Sequence, residues 1–132
     1  MKKVKLFDDL NHSLQDLKEI LPSEEELLES KIHQYSVSML MMNIINLCVD
    51  IGNEIISLKQ FGYPESYRDV FNILEKNKIL SRPVANKMKN LVGLRNLIAH
   101  EYGEINFELL YGQAEDLNLI EVFISETIKH FR

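Results

Sequence analysis

Apolar residues along this chain recur at intervals of three and four, the spacing that lines one face of a helix. Phe7, Leu10, Leu14, Leu17 and Leu21 make the first such stripe, and Pro22 ends it. Ser23 with Glu26 three positions later reads as a capping box, while Glu24 and Glu25 place negative charge where the helix dipole favours it. The pattern predicts a second helix from there to about Gln60, closed by Gly62 and Pro64. A short helix is predicted around 65–76, with Tyr67, Val70, Phe71 and Leu74 as its apolar face. Ser81 as N-cap and Pro83 in the first turn open a fourth helix, which carries Val84, Met88, Leu91 and Ile98 towards Ala99. A last helix, about 107–131, shows Leu110, Leu117, Ile120, Ile124 and Ile128. No Asn-Gly or Asp-Gly turn joins alternating runs, so hairpins are not expected. The fold class is all-α, an up-and-down helical bundle with a long second helix and a short additional helix.

The second helix carries two apolar stripes. Leu28, Ile32, Tyr35, Met39 and Met42 form one; Leu40, Ile44, Leu47, Ile51, Ile55 and Leu58 form the other. A surface helix needs only one. Two imply either a central place in the bundle or a face shared with a second copy of the chain, isologous if the pair is two-fold.

At 132 residues the chain suits one domain able to bury its own core. Cys48 is the only cysteine, which excludes a disulfide scaffold and fits a reducing compartment, most simply the cytoplasm. Asp8 and Asp9 interrupt the lysine-rich start beginning at Met1 before any apolar region forms, so a signal peptide is not expected. The most apolar stretch, Val37 to Val49, is read as too short to span a bilayer and contains Ser38, Asn43 and Asn46.

The net charge of −5 hides a division along the chain. Residues 1–67 hold 6 Lys/Arg against 11 Asp/Glu, residues 68–95 hold 7 against 2, and residues 96–132 hold 2 against 7. The middle block contains Arg68, Lys76, Lys78, Arg82, Lys87, Lys89 and Arg95. It is either a solvated helix face or one anion site on an otherwise repelling surface.

That block leads into Lys89-Asn-Leu-Val-Gly-Leu-Arg95-Asn96-Leu-Ile-Ala-His100-Glu-Tyr102 at the end of a helix. With this Arg-x4-His-x-Tyr signature the chain resembles the HEPN superfamily, and within it the HepT toxins. The resemblance extends to the long second helix after its acidic cap and to Pro64-Glu-Ser-Tyr-Arg-Asp69, so that residues 1–132 are expected to form a single HEPN domain. It implies the toxin of a type VII-like toxin–antitoxin system, a metal-independent endoribonuclease whose cleft lies at a homodimer interface. It also implies that Tyr102 receives AMP groups from ATP, transferred by an MntA-like minimal nucleotidyltransferase antitoxin that supplies the magnesium. The chain itself then needs no cofactor.

The residues support such chemistry in their own terms. RNA carries its nucleophile, the 2′-OH, beside the phosphate it attacks; cleavage needs a base, an acid and positive charge for the transition state. His100 can be base or acid, Arg95 supplies a permanent planar cation, and Asn96, four residues before His100, is a supporting residue that orients the ring or the phosphate. The products would be a 2′,3′-cyclic phosphate and a 5′-OH. No His-x3-His pair, cysteine cluster or Gly-rich phosphate loop offers a rival chemistry. On an ideal helix, however, Arg95 and His100 point about 140° apart, so two facing chains are expected to share the work. Gly93, lacking a Cβ, is read as permitting close approach of helices there.

Alternatives stay open at this level. Arg95 and His100 could each be structural, in a salt bridge to a carboxylate or as a C-terminal helix cap, and Tyr102 could be a core residue with a bonded hydroxyl. Tyr67 and Phe71 are read as core rather than as stacking platforms, and Cys48 as a small hydrophobe. A non-catalytic adaptor for a nucleotidyltransferase, or a purely structural dimer, are the competing functions.

Overall fold

The computed structural model describes residues 2–131; Met1 and Arg132, the ends of the expected single domain, lie outside the described residues. Helix α1 (Lys2–Ile20) buries Phe7, Leu10, Leu14 and Leu17 against the long helix α3 (Lys31–Lys59), and the pair is tied by Asn43 Nδ2 donating to Ser13 Oγ at 2.7 Å. Helix α4 (Tyr67–Lys76) and helix α5 (Arg82–His100) pack on each other and on α3. Two short helices, α6 (Phe107–Glu115) and α7 (Asn118–Ile128), close the remaining sides. One hydrophobic cluster runs through all of them, and every described element is helical.

The expected second helix is two helices. Helix α2 (Glu24–Glu29) begins on the capping box, with Ser23 and Glu26 bonded reciprocally. It ends because Ser30 turns extended (φ −116°, ψ 118°) and uses its Oγ to accept from His33 N–H, starting α3 afresh. Gln34 seals the break, its Nε2 donating to the otherwise free carbonyls of Leu27 and Leu28. The expected last helix divides in the same way. Asp116 is extended and its Oδ1 accepts from Asn118 N–H, so α6 stops and α7 restarts. At the far end of α3, Gln60 enters the left-handed region (φ 56°) and Phe61 N–H reaches back to Ile56 O, after which Gly62 takes φ 110°.

The two apolar stripes of the long segment have different fates. Ile44, Leu47, Ile51 and Ile55 are buried, which makes the lower part of α3 the centre of the bundle. Ile32, Tyr35 and Met39 are 77%, 60% and 71% exposed, and Leu28 on α2 is exposed as well. Val37–Val49 therefore belongs to a 29-residue helix that is long and apolar enough to cross a membrane, yet half of its most apolar window is buried inside the fold. That is how a core helix behaves. Gly52 lets α4 press onto α3: a Cβ there would stand 2.5 Å from Val70 Cγ1.

Candidate active site

Helix α5 carries the Arg-x4-His segment on its last two turns and remains helical through His100, with Glu101 as its C-cap. The divergence of about 140° expected of an ideal helix does not separate the two side chains. Arg95, Asn96 and His100 line one surface groove of about 490 Å³, together with Ser66, Tyr67, Arg68 and Val92. The opposite wall is the start of α4, brought there by the contact between α4 and α5. No acidic residue lines this groove among the described residues.

Arg95 is held from three sides. Its Nε donates to Asn46 Oδ1 at 3.1 Å, its Nη1 reaches Asn96 Oδ1 at 3.4 Å, and its Cζ lies 4.9 Å from the centroid of the Tyr67 ring. Tyr67 is thus not the core residue its spacing suggested; it is 42% exposed and serves as the platform for the guanidinium. Its helical partner Phe71 is fully buried, as expected. In the sequence Asn46 reads only as a polar interruption of an apolar run. Its spacing held a signal: Ile32, Tyr35, Met39, Met42 and Asn46 follow one another at three and four residues, so the exposed stripe of α3 ends on Arg95's partner.

Gly93 also differs from expectation. The atom nearest to an added Cβ belongs to a side chain rather than to a helix backbone, namely Arg68 Nη2 at 2.7 Å.

Tyr102 is not among the groove-lining residues. The α-helix gives way after His100 to a 3₁₀ turn, Tyr102–Glu104, which carries the phenol away from the position a continuing helix would give it. Its ring stacks on Tyr35 (centroids 5.1 Å apart, planes 6° apart) and meets Phe107 edge-on at 6.0 Å. The hydroxyl is buried without a hydrogen-bond partner among the described residues. An orphaned buried hydroxyl costs about 1–3 kcal/mol, so ring contacts hold this closed arrangement at the expense of the oxygen.

The other titratable candidates lie elsewhere. Burial pushes the Cys48 thiol far above its usual range, which makes it inert as a nucleophile. Among the described residues, no three His, Cys, Asp or Glu side chains converge as a metal site.

Comparison with known proteins fixes the family. Residues 10–127 match the family described as ribonuclease HepT-like. The chain belongs to that family. The mRNA nuclease HepT of Shewanella oneidensis is 36% identical over 77 residues, which is 58% of this chain and 58% of that relative. The alignment thus spans less than two thirds of that relative's length. The tri-AMPylated HEPN toxin of Shewanella oneidensis in complex with its MNT antitoxin superposes with a TM-score of 0.89 at 26% identity, covering 96% of each chain. A toxin–antitoxin structure with AMP-PNP gives a TM-score of 0.90 at 26% identity over 96% of each chain. The HepT-like fold expected from the Arg-x4-His-x-Tyr signature is therefore present along nearly the whole chain.

Proposed function

We propose that this HepT-like chain is the toxin of a type VII-like toxin–antitoxin pair and cleaves RNA in the groove between α4 and α5. The observation that carries this reading is the union of Arg95 and His100 in a groove lined by no described carboxylate. The 2′-OH supplies the nucleophile, so the groove needs only to move protons and to neutralise charge. His100, exposed at the end of α5, takes the proton from the 2′-OH or returns one to the 5′-oxygen. Arg95 faces the non-bridging oxygens as charge builds on them; Asn46 and Tyr67 fix its plane in advance, which lowers the reorganisation needed at the transition state. Asn96 supports the same guanidinium. No step requires a metal.

The homodimer belongs to this reading. Leu28, Ile32, Tyr35 and Met39 leave a large apolar strip open to solvent, and its helical line continues to Asn46 beside Arg95. A second copy seated on that strip would cover it and bring two His100 side chains towards one substrate, supplying acid and base together. The site of action is the cytoplasm, where RNA and a reducing environment coexist.

Control rests on Tyr102. A relative of the MntA antitoxin would transfer AMP from Mg-ATP to the phenol oxygen, releasing pyrophosphate. The closed ring stack means that Tyr102 must first leave Tyr35, because the acceptor oxygen is buried. Once modified, it carries a phosphodiester charge that competes with RNA for Arg95. The test is incubation with the cognate nucleotidyltransferase and Mg-ATP, followed by peptide mass mapping and RNA cleavage assay. The expected result is AMP on Tyr102 with loss of cleavage, and an unmodified Tyr102→Phe variant that stays active. AMP found elsewhere, with Tyr102→Phe still silenced, would remove Tyr102 from control.

A further inference from the structure

The groove holds a second guanidinium that the Arg-x4-His-x-Tyr signature does not include. Arg68, in the first turn of α4, lines the same groove as Arg95 and His100. Its Nε donates to Lys89 O at 3.2 Å, which fixes the side chain across α5, while the residue as a whole stays exposed. Gly93 leaves room for that placement: a Cβ there would stand 2.7 Å from Arg68 Nη2, and the guanidinium end would have to shift. An exposed arginine pinned to a backbone carbonyl, let in by a glycine and set beside a second arginine, is arranged to hold an anion.

We propose that Arg68 is a phosphate-positioning residue, holding the RNA phosphate next to the one cleaved at Arg95 and His100, and that Gly93 is the opening that seats it. This inference rests on the ribonuclease reading. Two pinned guanidinia set the register of a single strand, whereas one would leave the strand free to pivot about the scissile phosphate. Arg68 touches no reacting atom in this scheme; its contribution lies in binding and alignment.

The test uses fluorescence anisotropy with a short single-stranded RNA, in a His100→Ala background that keeps the strand intact. Arg68→Gln is expected to weaken binding about tenfold at low salt and to flatten the slope of log affinity against log salt by about 0.7, the loss of one phosphate contact. Arg68→Lys, which keeps the charge, should preserve most of that slope. Gly93→Ala, which shifts the guanidinium without removing its charge, should weaken binding less than Arg68→Gln, and the double variant should add nothing to Arg68→Gln. In the cleaving protein, Arg68→Gln should raise KM more than it lowers kcat. An Arg68→Gln variant with unchanged affinity and slope would overturn the proposal, as would a Gly93→Ala effect that adds fully to it. If Arg68→Gln does not fold, Arg68→Ala, which also removes the charge, decides by the same slope criterion. RNA that is bound and cut normally despite these changes sinks this inference alone; a wild-type chain that cuts no RNA sinks the ribonuclease reading instead.

Discussion

Arg95 owes its orientation to its neighbour Asn96 and to residues on two other helices, and each contact can be removed separately. Asn46 takes the Nε proton from α3, Asn96 lies beside it on α5, and Tyr67 offers a ring face from α4. An exposed cation–π contact is worth about 0.5–1 kcal/mol, so Tyr67→Ala should lower kcat/KM by about two- to fivefold while Tyr67→Phe, which keeps the ring, stays near wild type. Steady-state cleavage of a labelled RNA reads this directly; equal losses in both variants would mean that the hydroxyl matters rather than the ring. Tyr35 offers a second residue-level test. Its stacking on Tyr102 is worth about 0.5–1.5 kcal/mol, so Tyr35→Ala should speed AMP transfer to Tyr102 by about two- to tenfold. A slower or unchanged rate would show that the stack does not gate the acceptor. Arg95, Asn96, His100 and Tyr102 were legible in the sequence because they sit within eight consecutive positions. Asn46 and Tyr67 were not, since only folding brings residues 46, 67 and 95 together.

At the scale of elements, the helical periodicity of the sequence carried through to most core positions, with Tyr67 and Leu58 exposed, while two helix breaks did not show. Both breaks depend on a short polar side chain that bonds a nearby backbone N–H in place of continuing the helix: Ser30 before α3 and Asp116 before α7. Such residues also occur within helices, so periodicity alone passes over them. The capping box of α2 was visible because its two partners are three residues apart. Hydrogen bonds from the Ser23 backbone and side chain hold the Glu26 carboxyl below its usual range. Its stabilising effect is therefore complete above the unfolded carboxyl pKa and is lost as pH falls through the lower folded value. The contact of α3 with α4 makes a stronger test. Gly52→Ala places a methyl 2.5 Å from Val70 Cγ1 and 3.1 Å from Leu74 Cδ1, both buried. Overpacking of that kind costs about 1–3 kcal/mol and should lower the urea midpoint accordingly. Because α4 forms one wall of the groove, RNA cleavage should fall with it. An unchanged midpoint would mean that the two helices separate without cost.

For the whole molecule, the central expectation is a dimer built on the open strip of α2 and α3. The sequence shows the doubled stripe, and the fold shows which half of it is open to solvent: Ile32, Tyr35 and Met39 are exposed while Ile44, Leu47, Ile51 and Ile55 are covered. Light scattering at micromolar concentration should give twice the 15.4 kDa of one chain, and Met39→Glu or Ile32→Glu should return it to one. A wild-type species of single-chain mass would rule out a cleft shared between two chains. RNA cleavage by this chain depends on Arg95 and His100 acting without help from a metal. The decisive measurement is cleavage of a labelled RNA in excess EDTA by the wild type and by His100→Ala, with the fragment ends identified. The expected result is undiminished wild-type cleavage leaving 2′,3′-cyclic phosphate and 5′-OH ends, and a loss of about 10²–10⁴ in rate for His100→Ala with the helical spectrum unchanged. Cleavage abolished by the chelator, or full activity in folded His100→Ala, would contradict it.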